Sequence, residues 1–178
     1  MHGIVHRSLK QYVLEKAGER NWNTVRERAA LEQKLYLPVT YYDDEFDAVV
    51  DTLASMSGHD RHAIERDVGY FLAEPLLQTF RGYIRNTWDF LTLLESLEAI
   101  AISLHAERPD TNPPTIRCEP LESGGGVRVG YRSSRSYCSV AWGVLEGVAD
   151  AYDESVVVTE ERCTRDGDEE CVFHVAFE

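Results

Sequence analysis

Tyr131, Ser133 and Arg135 place a phenol, a hydroxyl and a guanidinium at alternating positions. Side chains of an extended segment repeat every two residues, so the three are expected on one face. Donors converging in this way form a clamp for carboxylates, and the arginine fork suits a carboxylate best. The competing reading is a polar strand end facing water. A second set comprises Cys138, Glu160, Cys163 and Cys171. Cys163 and Cys171 flank Asp166-Gly167-Asp168 with similar arm lengths, so closing a hairpin there brings the two thiols together. Cys138 falls near an expected helix N-terminus, where the helix dipole favours thiolate. Three thiolates and one carboxylate form a closed tetrahedral shell suited to zinc. The competing reading is a set of unrelated free thiols. His174 could replace Glu160 only if its strand bulged, since Cys171 and His174 otherwise point to opposite faces. Cys118 falls outside the pattern and reads as a buried strand residue.

The elements that must position these groups change character halfway along the chain. Ile4, Val5, Leu9, Tyr12 and Val13 repeat at helical spacing, with Gly18 as a C-terminal stop. A second helix is expected from Asn23 to about Leu35, before a break at Leu37-Pro38. Asp43 or Asp44 can cap a helix through Phe46, Val49, Val50 and Leu53 that ends at Gly58. Another runs from Asp60 through Ile64, Val68, Phe71 and Leu72, with Leu76 as a possible extension. An apolar helix after Thr87 carries Phe90, Leu94, Leu97, Ala101 and Leu104, and Pro109 ends it. Beyond Asn112-Pro113-Pro114 the period becomes that of strands, at 115–119, 127–133, 155–163 and 171–177. Gly124-Gly125-Gly126 and Asp166-Gly167 supply turns, and a helix is expected from Tyr137 to Ala151. Helices first and then an antiparallel sheet with one inserted helix define an α+β fold. One domain spans 1–178, with a helical subdomain over 1–60 and a pocket-and-sheet subdomain over 61–178.

Composition bounds the partners. The chain has 178 residues, 43% of them hydrophobic, enough for a sizeable core in a folded domain. A net charge of -13 argues against nucleic acid and anionic membranes, which call for a basic surface. Neither a membrane span nor a signal peptide is visible, so a cytoplasmic, reducing compartment is expected. In that setting clustered cysteines are more often metal ligands or redox thiols than disulfides.

Taken in order, the motifs resemble those of the heme nitric oxide/oxygen binding (H-NOX) family along essentially the whole chain. Met1-His2-Gly3-Ile4-Val5, with an amphipathic helix behind it, resembles the family's start. Asn112-Pro113-Pro114-Thr115-Ile116-Arg117-Cys118 is similar to the segment after the family's heme-ligand helix, and Tyr131-x-Ser133-x-Arg135 matches its signature. The resemblance implies that Tyr131, Ser133 and Arg135 bind the propionates of heme b, with Pro114 close by. It also implies a histidine on iron, thirteen positions before Pro114. That position is Ala101, and the nearest imidazole, His105, is one helical turn further on, about 6 Å along the axis. Either His105 has taken over, or heme sits without its usual ligand, or the pocket holds something else.

In oxygen-binding relatives a tyrosine nine positions after the signature tyrosine donates to bound oxygen. Here that position is Val140, and Leu9 occupies the matching place on the first helix. An apolar distal pocket cannot stabilise partial charge on dioxygen, so the resemblance implies a preference for nitric oxide or carbon monoxide. Some H-NOX proteins carry a cysteine-histidine-cysteine-cysteine zinc site. This chain's Cys138, Glu160, Cys163 and Cys171 instead follow the cysteine-glutamate-cysteine-cysteine spacing of phenol-responsive activators and vinyl-4-reductase-type sensor domains.

The expectation is a bacterial-type gas sensor rather than an enzyme, since no nucleophile-base pair or Gly-rich phosphate loop is present. By analogy, its signal would pass in trans to a histidine kinase or a cyclic-dinucleotide enzyme. The alternative is a heme-independent sensor of another small ligand, or a zinc-thiolate redox sensor on the same fold.

Overall fold

A computed structural model describes residues 2–31, 43–107, 112–121 and 125–178. Its helices are α1 (Gly3–Arg28), α2 (Asp43–Ser57), α3 (Arg61–Thr79), α4 (Phe90–Glu107) and α5 (Cys138–Ala151), with strands β1 (Thr115–Pro120), β2 (Gly126–Arg132), β3 (Val156–Arg162) and β4 (Cys171–Phe177). The strands form one antiparallel sheet in the order β1-β2-β4-β3. This is the expected α+β architecture.

Two details of the helical half differ from the sequence reading. Gly18 bends the first helix without ending it: at φ 81 and ψ 167 it kinks α1, and helical structure resumes at once. Glycine tolerates this left-handed region, so the chain turns there and continues. The second helical segment therefore starts before Asn23 and ends at Arg28. The expected break at Leu37-Pro38, the end of α4 at Pro109 and the first glycine of the Gly124-Gly125-Gly126 turn lie outside the described residues. The helix expected from about Asp60 is α3, and Asp60 is its N-cap, the carboxylate accepting from the backbone of His62 and Ala63.

The apolar residues gather into two clusters. One, formed by α1, α2 and α3, holds Leu9, Val13, Phe46, Val50, Val68 and Leu72, and takes in Tyr137 and Val140 from around the start of α5. The other lies on the sheet and holds Phe90, Leu93 and Leu94 of α4 together with Val127, Val129, Phe173 and Val175. The two clusters meet where α3 crosses α5. There Gly69, Gly143 and Gly147 admit near-contact between backbones, since a Cβ on Gly143 would lie 1.9 Å from the Arg66 carbonyl oxygen. Arg66 locks the crossing further, forking onto Glu146 and stacking 4.3 Å from the Trp142 ring centroid. The stretch carrying Arg135 and Cys138 enters α5 directly, so this rigid crossing fixes where both groups sit.

Candidate ligand clamp and metal centre

Tyr131 ends the inward row of β2, level with Ile116 on β1 and Cys171 on β4. The strand stops at Arg132, so Ser133 and Arg135 do not continue an extended face. Instead the chain turns. Ser133 Oγ accepts from the Arg135 backbone N–H at 3.1 Å, which folds the arginine back toward the tyrosine. Ser133 lies beside the Tyr131 phenol, and Arg135 Nη1 donates to the Asn112 carbonyl at 3.3 Å. The clamp is therefore a strand end plus a serine turn, braced against the segment that carries Pro114, itself half-buried. Burial, reinforced by the Cys138 and Cys171 thiols, pushes the Tyr131 phenol up to about 12, so it stays a proton donor.

Cys138, Glu160, Cys163 and Cys171 come together, with one ligand atom from each lying within 4.8 Å of the others. The three cysteines are buried and Glu160 is exposed. The Cys163 and Cys171 sulfurs are 3.9 Å apart. A tetrahedron with metal–sulfur bonds of about 2.3 Å spaces its sulfurs by about 3.8 Å, so the donor set fits such an ion. Glu160 and Cys163 are three apart and would point to opposite faces of a regular strand. A β-bulge between Glu160 and Arg162 takes up the odd residue and restores them to one side. The bulge is on β3 rather than β4, and it serves Glu160; His174 pairs with Glu161 at 2.8 Å instead. Between the cysteines runs a 3-10 turn, Thr164–Asp166, closed by Gly167 at φ 99. Thr164 donates its backbone N–H to Cys171 Sγ at 3.4 Å, and Asp168 accepts from the Cys163 N–H at 2.9 Å. Burial holds the Cys138 and Cys163 thiols above their usual range, which a bound cation would reverse. Cys118 lies on β1 outside this cluster and is half-buried rather than buried.

On α4, Ala101 is half-buried and carries no donor, and His105 is exposed in the last turn. Leu9 and Val140 are buried in the same apolar cluster, at 2% and 9% exposure. The donors of Tyr131, Ser133 and Arg135 suit the carboxylate end of a heme; on α4, Ala101 offers no ligand atom, and the imidazole of His105 stands one turn further on.

Charged residues that the sequence reading passed over join the two centres. Arg165, on the turn between Cys163 and Cys171, reaches Glu65 of α3 at 2.6 Å. Glu65 is 1% exposed and also accepts from Arg61 Nε at 2.9 Å. Glu65, Arg61, Arg165 and Arg135 line a polar cavity of about 500 Å³. The available signal was Glu65 itself, a carboxylate at helical spacing with Val68 and Leu72.

The sequence profile of the haem-NO-binding family (HNOB) matches residues 2–160. The chain belongs to that family, a family of heme-based gas sensors. It is 27% identical over 187 residues to the soluble guanylate cyclase gcy-35 of Caenorhabditis elegans, covering 99% of this chain and 27% of that protein. The chain therefore spans about a quarter of that relative's length. The fold matches an H-NOX protein from S. oneidensis in its Fe(II)NO ligation state with a TM-score of 0.91 at 20% identity, covering 100% of this chain and 99% of that one. An oxygen-binding H-NOX domain related to soluble guanylate cyclases matches with a TM-score of 0.83 at 19% identity, covering 100% and 95%. Among the described residues no helix is long and apolar enough to cross a membrane.

Proposed function

We propose that the chain is a heme b-based sensor of nitric oxide that retains its prosthetic group through carboxylates, with Ala101 in the place of the family's iron-ligating histidine. The observation carrying this reading is the convergence of Tyr131, Ser133 and Arg135 beside the segment of Pro114, on a fold of the H-NOX class. Bound heme supplies an iron centre that takes a diatomic gas. The chain supplies the rest. Arg135 and Tyr131 present charge-assisted and phenolic donors to carboxylates. Leu9 and Val140 bring no donor that would favour dioxygen over nitric oxide or carbon monoxide. Cys138, Glu160, Cys163 and Cys171 hold zinc, which ties the β3–β4 hairpin to the start of α5. By analogy, the partner is a histidine kinase or a cyclic-dinucleotide enzyme acting in trans; in the guanylate cyclase relative the matching stretch is about a quarter of one longer chain.

The test compares hemin with hemin dimethyl ester, which lacks free carboxylates. Arg135→Met should weaken hemin retention about tenfold, the worth of one charge-assisted contact, and leave the ester unaffected. Equal retention of both forms by the unaltered chain would overturn the clamp.

The three buried thiols support a second reading, a redox sensor whose oxidation ejects the metal.

A further inference from the structure

Building on that reading, we propose that Arg165 is a positioning residue through which the metal centre sets the geometry of the carboxylate clamp. It sits on the turn between two candidate ligands, next to Thr164, whose N–H and hydroxyl both lie 3.4 Å from Cys171 Sγ. Its guanidinium spans three elements. Nη2 donates to Glu65 Oε2 at 2.6 Å on α3 and to the Ser136 carbonyl at 2.7 Å. Nη1 donates to Ser139 Oγ at 2.9 Å on α5 and meets His62 Nδ1 at 2.7 Å on α3.

Ser136 is the residue after Arg135, so one guanidinium holds the backbone beside the clamp arginine and the residue after the ligand Cys138. The next residue is held from the other side, Tyr137 donating to Asp47 of α2 at 3.1 Å. Glu65 gives Arg165 its fixed point. A carboxylate at 1% exposure is costly unless paired; it is paired with Arg165 and Arg61, and His62 Nδ1 lies 3.6 Å away. Arg61 is itself anchored by Asp47 and Asp51. The position of Arg165 therefore depends on the turn, and the turn depends on the Cys163 and Cys171 ligands being held together. Loss of the metal frees the turn, withdraws Arg165 from Ser136 and loosens the segment 133–137.

The test uses the full chain with the double change Arg165→Met and Glu65→Gln, which removes the strap without stranding a buried charge, and Arg165→Lys as a milder companion. All four metal ligands remain, so the zinc content should not change. Hemin should leave the double variant about tenfold faster, reflecting the lost ordering of a charged contact, while hemin dimethyl ester leaves at the unaltered rate. Amide exchange over 133–137 should rise in the double variant and, in the unaltered chain, rise on chelation. Chelation should speed hemin release from the unaltered chain more than from the variant. Equal acceleration of hemin and its ester, or unchanged exchange over 133–137, would overturn the role of Arg165. An unaltered chain that treats hemin and ester alike would overturn the clamp beneath it, and an unaltered chain without zinc would overturn the metal centre; in both cases the exchange comparison still decides the strap.

Discussion

Tyr131 and Cys171 stand directly opposite each other across the β2–β4 ladder. The last residue of the inward β2 row belongs to the candidate clamp, and its cross-strand partner is a candidate metal ligand. Paired residues of adjacent antiparallel strands lie about 4.5–5.5 Å apart, so a shift of β4 reaches the phenol in one step. Tyr131→Phe should therefore keep the metal and the fold while weakening hemin retention several-fold, as loss of one neutral hydrogen bond implies. Parallel measurements of zinc content and hemin dissociation check this; loss of zinc in the variant would contradict it.

The α3–α5 crossing should be intolerant of a methyl group. Gly143→Ala places a Cβ against backbone at 1.9 Å, and neither helix can yield without disturbing Gly69 and Gly147 nearby. A destabilisation of about 3 kcal/mol is expected from such overpacking. Urea denaturation should show a lower midpoint with an unchanged slope. A variant as stable as the unaltered chain would mean that the crossing relaxes freely.

How legible was this in the amino-acid order? The strand boundaries followed from β-branched runs and turn residues, and β4 begins at Cys171 as expected. The cysteine cluster was legible because a short hairpin fixes its own geometry. The β-bulge was not, since one extra residue in a strand leaves no mark in composition, though it decides that Glu160 and Cys163 share a side. Gly18 was read as a stop because glycine favours helix ends, and only packing shows that α1 resumes beyond it. The turn at Ser133 was hidden for a similar reason: a serine accepting from the N–H two residues on competes with the strand it follows. The links from Arg165 to Glu65 and Ser136 join residues 100 and 29 positions apart, beyond the reach of any local pattern.

Cys118 provides a check through pH. Burial first, and then the Glu95 and Glu98 carboxylates of α4, push its thiol up to about 12. At pH 8 its thiolate fraction should be about one in ten thousand, so alkylation should be slow and should rise about tenfold per pH unit. The folded value is above the unfolded one, so its contribution to stability is complete below about pH 8.5 and is lost as pH rises toward 12. Mass spectrometry after iodoacetamide labelling at stepped pH reads this directly. Labelling at pH 8 as fast as a free cysteine would contradict it.

Replacing Ala101 by histidine should place an imidazole at the position where the family resemblance puts the iron ligand. Ala101→His is expected to tighten heme retention at least tenfold and to shift the absorption spectrum, with uptake of nitric oxide and carbon monoxide. Leu9 and Val140 leave dioxygen without a donor, so no stable uptake of dioxygen should follow. Unchanged heme retention would show that position 101 does not face the prosthetic group.

Heme held by its carboxylates on this H-NOX fold should give a protein-bound spectrum of its own. The most direct measurement is a spectrophotometric titration of the full, zinc-replete chain with hemin, followed by reduction and nitric oxide. The Soret band should saturate at one heme per chain and shift on adding nitric oxide, with hemin dimethyl ester binding far more weakly. Titration without saturation, or a spectrum that stays that of free hemin throughout, would contradict it.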